Sequence, residues 1–310
     1  MSFRYISNCF QFIITISFLT PFSGTAQIFN KADQIFLSSK EDSLVAIGGK
    51  IINEEEPLER FKADSFFTRI LVRALKTKNS FHYPFNKIST VSNLYSPDST
   101  FRIFTWQVSK DQATHRRHGA IQMNTKNGEL KLFPLIDRSI IMSNEKDTIT
   151  NNEWWFGAIY YKILKKEYQG KNFYTLLGYD ENSIRSTKKR IEILHFNQSG
   201  NPVFGGDFFS FKQDSIPKKN QSRFWIEYKK NGNARITYDE ELNLIIYDHL
   251  ISETNEPNKL YTYIPDGDYE GFKWMNGKWL HIDKVFNEKL KDGEAPIVKP
   301  IKDGKMKTGG

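Results

Sequence analysis

The apolar positions change their period along the chain, and that change divides it into a helical start and a long strand-rich body. After residue 30, Ile35, Phe36, Leu44, Ile47 and Ile51 recur at intervals near three and four. This spacing predicts a helix over 31–53, weakened at its end by Gly48 and Gly49. Pro57 suits the first turn of a second helix, where its missing N–H would be unpaired in any case. In that helix Leu58, Phe61, Phe67, Ile70, Leu71, Ala74 and Leu75 form one stripe, with Arg60, Lys62, Asp64, Arg69, Arg73 and Lys76 turned away. The pattern is that of an amphipathic helix laid on an apolar layer, ended by Asn79 and Pro84.

Beyond Pro84 the period becomes strand-like. Segments 101–108, 120–123, 130–136, 158–164, 173–177 and 190–196 are rich in β-branched and aromatic residues. So are 224–228, 234–238, 242–250, 260–264, 272–275 and 279–285. Asn127-Gly128, Asn231-Gly232 and Asn276-Gly277 fall between such runs, and Asn-Gly tolerates the positive φ that a two-residue hairpin turn demands. Ser199-Gly200 and Pro265-Asp266-Gly267 are further expected turns. The predicted fold class is therefore α+β, mainly β: N-terminal helices packed on a large antiparallel β-body. The pattern leaves sandwich, barrel and propeller-like closures open, and no repeat of about 40 residues supports a propeller. The expected organisation is a helical segment over 27–86, a β domain over 87–287 and a disordered, lysine-bearing tail over 288–310.

The first 26 residues form a different pattern. Arg4 precedes an apolar run over 10–22, and Gly24 and Ala26 supply small residues after it. This reads as a secretory signal peptide cleaved between Ala26 and Gln27. A membrane-spanning helix needs roughly 20 apolar residues, and this run is shorter and interrupted by Gln11, Thr15, Ser17 and Thr20. A lipoprotein cysteine follows the apolar run, whereas Cys9 precedes it. The expectation is a periplasmic or extracellular protein with no transmembrane segment after cleavage. Cys9 is the chain's only cysteine, so the mature chain would carry no thiol. That excludes internal disulfides and multi-thiolate zinc or iron–sulfur sites.

Charge and motifs then narrow the chemistry. Lys and Arg number 44 against 36 Asp and Glu, an ordinary charged fraction with a formal net charge of +8. Lysine clusters at 165–166, 188–190, 218–219 and 229–230 sit beside expected hairpins, where they protect strand edges. Export also removes the usual nucleic acids, so no nucleic-acid partner is expected. The chain contains no nucleophile elbow, zinc-binding H-E-x-x-H helix, Walker loop or dinucleotide fingerprint. No cofactor and no metal are expected. His115-Arg116-Arg117-His118 reads as a solvated loop, because strand residues three apart face opposite ways and the arginines repel a cation. Asp266, Asp268 and Glu270 alternate as calcium ligands would, but a Pro-Asp-Gly turn explains them and the remaining ligands are missing.

The ligand-binding candidates are rings and one polar Asp-His segment. Trp154 and Trp155, and Trp274 and Trp279 around a hairpin turn, offer flat rings on which sugars could stack, although building a cysteine-free core is the favoured role for each. Asp248-His249 lies in a strongly β run, where adjacent side chains diverge; an Asp meeting a partner His across the sheet would make an acid–base pair, but a strand-end polar pair explains the same residues better. The favoured reading is a non-enzymatic envelope or surface binding module whose partner is a glycan or other envelope polymer. The alternative is a hydrolase acting on such a polymer through Asp180, Asp207 or Asp248, and no catalytic residue is assigned.

The stretches ERFKADSFFTRILVRALKTKNSFHYPF, STFRIFTWQV, GAIQMNTKNGELKLFPLIDRS, YTLLGYD, LIIYDHL and YIPDGDYEGFKW resemble those of a family of uncharacterised exported proteins of Bacteroidota. The likeness spans most of 58–285 and includes a small-residue-then-Gln cleavage site. It implies a periplasmic or surface location and brings no catalytic residue with it. The triplets at Asp42, Asp98, Asp147 and Asp214, each followed by Ser or Thr, are similar to the O-glycosylation pattern of exported proteins in that phylum.

Overall fold

A computed structural model of the protein describes residues 29–286. The expected signal peptide and the expected disordered tail lie outside the described residues. Helix α1 (Lys31–Asn53) starts where the Asn30 side chain accepts the Asp33 backbone N–H at 2.7 Å. Helix α2 (Pro57–Leu75) has proline in its first turn, as expected.

The buried faces of both helices differ from the apolar stripes. In α1 the buried positions are Leu37, Glu41, Leu44, Gly48 and Ile51, while Ile35 is 62% exposed. Glu41 occupies a core position because it accepts the Tyr83 hydroxyl at 2.7 Å and the Lys87 backbone N–H at 2.8 Å. Gly48 lets the helix approach Thr90 so closely that any Cβ there would collide with it. In α2 Leu58 is exposed and Asp64, expected to face away, is buried. Its carboxylate accepts the Trp106 indole N–H at 2.7 Å.

Three sheets follow in chain order. The first comprises β1 (Ser92–Tyr95), β2 (Phe101–Ser109), β3 (His115–Met123) and β4 (Lys131–Ile136), an antiparallel meander. The second is built on the long hairpin of β6 (Ile159–Tyr168) and β7 (Lys171–Asp180), with β8 (Ser186–Phe196) beside β7. The other edge of β8 is shared. β9 (Pro202–Phe204), itself paired to β5 (Thr150–Asn151), takes its C-terminal part and β12 (Arg223–Lys229) the rest. The third sheet contains β10 (Phe209–Phe211), β11 (Lys218–Gln221), β13 (Ile236–Asp239), β14 (Leu244–Ser252), β15 (Tyr263–Met275) and β16 (Lys278–Ile282) in the order β11-β10-β16-β15-β14-β13. Only its β10–β16 pairing is parallel among the described ladders.

Strand alternation stacks these sheets as layers. On β2, Phe104, Trp106 and Val108 face α1 and α2, whereas Phe101 and Ile103 face the second sheet. On β7, Tyr174 and Leu176 meet the first sheet, and Leu177 meets the third. The result is mainly β with two N-terminal helices, and the layering runs helices, sheet, sheet, sheet, with an apolar seam at each junction.

Several local expectations are corrected. The His115–His118 segment is the start of β3, not a loop, because Arg117 is drawn inward by acids of the second sheet. Pro265-Asp266-Gly267 is not a chain reversal: it lies inside β15, where the pairing with β14 shifts register and Gly267 takes φ 94°. Residues 260–262 form a short 3-10 turn before that strand. Asn276-Gly277 does make the predicted hairpin, with φ of 51° and 78°.

Between the first two sheets lies a charged layer. Arg190 reaches Asp180 at 3.2 Å and Glu145 at 3.0 Å, and Arg117 pairs with the same Asp180. Arg223 pairs with Glu192, which also accepts the Tyr160 hydroxyl at 2.5 Å. Arg223 further donates to Thr150 Oγ1 at 2.7 Å and Phe204 O at 3.0 Å, fastening the 145–150 loop and β9 to β12.

Candidate functional site

A cavity of about 690 Å³ opens where the ends of the first two sheets meet. Its size is that of an ordinary ligand site. Phe173 and Tyr174 come from the start of β7, His195 and Phe196 from the end of β8, and Phe208 from the loop before β10. Phe173 and Phe208 meet edge to face at 5.2 Å, and Phe196 lies 5.4 Å from Phe101 of the core beneath. The rings are thus fixed by the layer packing. They are also reachable: Phe173, Phe196 and Phe208 are each partly exposed.

The rim is polar and positive. Lys131, Lys171, Asn172, Asn197 and Gln198 line it, and no Asp or Glu does. Among the described residues neither lysine has a carboxylate within ion-pair distance. Burial, reinforced by Lys171, lowers the His195 pKa, so its imidazole is neutral at pH 7. Behind the wall, the Tyr174 hydroxyl donates to Asp98 Oδ2 at 2.8 Å. Burial opposes ionisation of Asp98, but hydrogen bonds from Thr100, Tyr174 and Ser96, with Lys165, outweigh it and hold the carboxyl well below the usual range.

The sequence candidates scatter around this cavity rather than line it. Trp155 and Trp279 are wholly buried, with indole N–H groups donating to Tyr160 Oη at 2.8 Å and Thr175 Oγ1 at 3.0 Å, so neither offers a ring face to a ligand. Trp154 is 48% exposed and carries Arg138 over its ring at 5.7 Å, away from the cavity lining. Trp274 is half-buried and backs onto Phe173 at 6.0 Å. Its ring abuts the ring wall, while Trp279 reaches that wall through its backbone N–H, which donates to Phe208 O at 2.8 Å.

The other candidate, Asp248-His249, divides. Asp248 accepts the Arg235 backbone N–H at 2.6 Å, while His249 turns to Asp266 at 2.8 Å and Glu270 at 3.6 Å. The two side chains diverge, as expected of neighbours on a strand, and His249 meets an Asp of the adjacent strand instead. Asp180 is buried between arginines and Asp207 pairs with Lys278 at the surface, so the three carboxylates offered for hydrolysis share no cleft. The alternating acids of 266–270 go to basic side chains: Asp266 to His249, Asp268 to Lys284 at 3.4 Å, and Glu270 to His281 at 2.9 Å as well as to His249.

Sequence reasoning missed Phe173, Phe196 and Phe208 as a group because three distant segments bring them together. The available signal was an aromatic at each strand end beside amides, as in Phe196-Asn197-Gln198. The lysine clusters prove to be largely paired: Lys188 with Glu227, Lys229 with Glu253 and Lys230 with Glu181. No family model, no curated protein and no solved structure matches the chain.

Proposed function

We propose that the protein is an exported, non-enzymatic binding module of the cell envelope or surface, and that the ring-walled cavity takes a short stretch of an anionic glycan or similar polymer. The observation that carries this reading is the lining itself: Phe173, Phe196 and Phe208 in reach of solvent, two lysines without acid partners among the described residues, three side-chain amides and no carboxylate. Partly exposed rings stack on the apolar faces of sugars, amides meet hydroxyls, and lysines meet carboxylate or sulfate groups. Hydrolysis of a glycosidic bond needs two carboxyl groups flanking the scissile bond, and this lining supplies none.

Export rests on the Arg4, apolar-run and Ala26 pattern, and on the resemblance to exported Bacteroidota proteins. No described helix is long and apolar enough to cross a membrane. Calorimetric titration with a uronic-acid hexasaccharide, against a neutral glucan hexasaccharide, tests the reading. Saturable binding of the acidic chain that weakens with added salt is expected. Absence of saturable binding to either chain overturns it.

A further inference from the structure

A second cluster lies on the third sheet, apart from the ring-walled cavity and from the charged layer between the first two sheets. His281, on β16, is 5% exposed, and its Nδ1 stands 2.8 Å from Asp214 Oδ1 and 3.2 Å from Asp283 Oδ1. The donor atoms of these three residues all lie within 4.8 Å of one another. On the far side of the ring, Nε2 stands 2.9 Å from Glu270 Oε2 and 2.6 Å from the Tyr247 hydroxyl. The Tyr247 hydroxyl is also 2.6 Å from that same Glu270 oxygen.

We propose that Asp214, His281 and Asp283 form a binding site for a divalent transition-metal cation, with Zn²⁺ or Mn²⁺ chemistry, and that Glu270 orients the imidazole from behind. One Nδ1 atom offers one lone pair or one proton, yet two carboxylate oxygens converge on it. A dication placed there joins all three donors and balances the charges of Asp214 and Asp283. Metal–nitrogen and metal–oxygen bonds of about 2.0–2.2 Å put tetrahedral ligand atoms about 3.3 Å apart. The two distances from Nδ1 therefore need to open by about half an ångström or less.

Glu270 supplies what a ligating histidine requires on its other nitrogen. With Nδ1 on the metal, Nε2 carries the proton and donates it to Glu270, which fixes tautomer and ring orientation and raises the basicity of the ligand. Tyr247 then donates its hydroxyl to the same carboxylate. One imidazole with two carboxylates suits zinc or manganese; calcium prefers an all-oxygen shell. Access is through Asp283, whose side chain is 52% exposed at the end of β16, while Asp214 and His281 are buried. Asp214 belongs to the turn between β10 and β11, so the ion would tie that turn to the end of β16.

The test is equilibrium dialysis of chelator-treated protein against Zn²⁺, Mn²⁺ and Ca²⁺, with bound metal counted by elemental mass spectrometry and affinity measured by calorimetry. One equivalent of Zn²⁺ or Mn²⁺ is expected, at least tenfold tighter than Ca²⁺. Asp283→Asn, a half-exposed isosteric change, should weaken binding at least tenfold while the metal-free protein melts as the wild type does. His281→Gln should abolish binding, and should it fail to fold, Asp283→Asn alone carries the test. His82→Gln, at an exposed histidine outside this cluster, should leave stoichiometry and affinity unchanged. Failure to retain Zn²⁺ or Mn²⁺ overturns the proposal, as does binding that Asp283→Asn leaves intact or that His82→Gln removes.

Discussion

Arg102 donates its Nε–H to Gln122 Oε1 at 2.8 Å across β2 and β3, deep under the helices. The rest of the guanidinium donates to Tyr83 O, the Tyr95 hydroxyl and Ser80 O, at 2.7, 2.8 and 2.8 Å. Its partners are all neutral, and the Phe104 ring lies 4.7 Å away. Burial pushes Arg102 down to about 10, which still leaves it charged at neutral pH. Lysine cannot present a planar fork to four acceptors in different directions. Arg102→Lys is expected to lower stability by about 2–3 kcal/mol, read from urea unfolding. An unchanged midpoint would contradict the assignment of this side chain as the clamp between the 80–83 turn and the first sheet.

Glu192 and Arg223 are both wholly buried and paired. Removing one charge of such a pair strands the other, at a cost of about 3–5 kcal/mol. Glu192→Gln keeps the volume and is expected to cost about 3 kcal/mol in the same assay. Because Arg223 anchors the 145–150 loop, amide exchange in that loop should accelerate in the variant.

The Tyr174–Asp98 hydrogen bond behind the cavity wall gives two pH limbs of opposite sign. Asp98 is held below its unfolded value, so its contribution is present above about pH 4 and lost as pH falls through the folded pKa. Tyr174 is pushed up to about 12, first by burial and then by its Asp98 partner, with Thr100 opposing. Its contribution is present below about pH 10 and lost as pH rises toward 12. Thermal melts from pH 2 to 12 should show both limbs, and Tyr174→Phe should flatten the alkaline one. Identical profiles for the two proteins would count against the pair.

The proposed export predicts cleavage between Ala26 and Gln27, so that the mature protein begins at Gln27. N-terminal peptide mapping checks it. The intact mass of the same material tests the Asp-Ser and Asp-Thr triplets: a value above that of the unmodified chain supports O-glycosylation, and the unmodified value removes it.

The sequence carried the fold better than the site. Helix α1 was legible from end to end, and the strands that form the core were legible because β-branched and aromatic runs announce themselves within a few residues. The buried stripes were misread where polar side chains complete the core. Glu41 and Asp64 look like solvent-facing residues until Tyr83 and Trp106, 42 positions along the chain in each case, arrive to hydrogen-bond them. His115–His118 was misread for the same reason, since Arg117 goes inward only because Asp180 lies across the sheet junction. The cavity was illegible because its rings come from β7, β8 and the loop before β10, and the prominent tryptophans proved mostly structural. His281 and Asp214 carried no local signal; 67 residues separate them.

The central claim, that the ring-walled cavity is a binding site, is tested most directly by titrating the uronic-acid hexasaccharide into four proteins. These are the wild type, Phe196→Ala, the Lys131→Ala/Lys171→Ala double variant and Trp154→Ala. Losing one stacked ring should cost about 1 kcal/mol or more, a five- to tenfold loss of affinity. The lysine variant should bind more weakly and lose most of its salt dependence. Trp154→Ala should bind as the wild type does. Binding that disappears with Trp154 and survives the loss of Phe196 and both lysines would contradict the account.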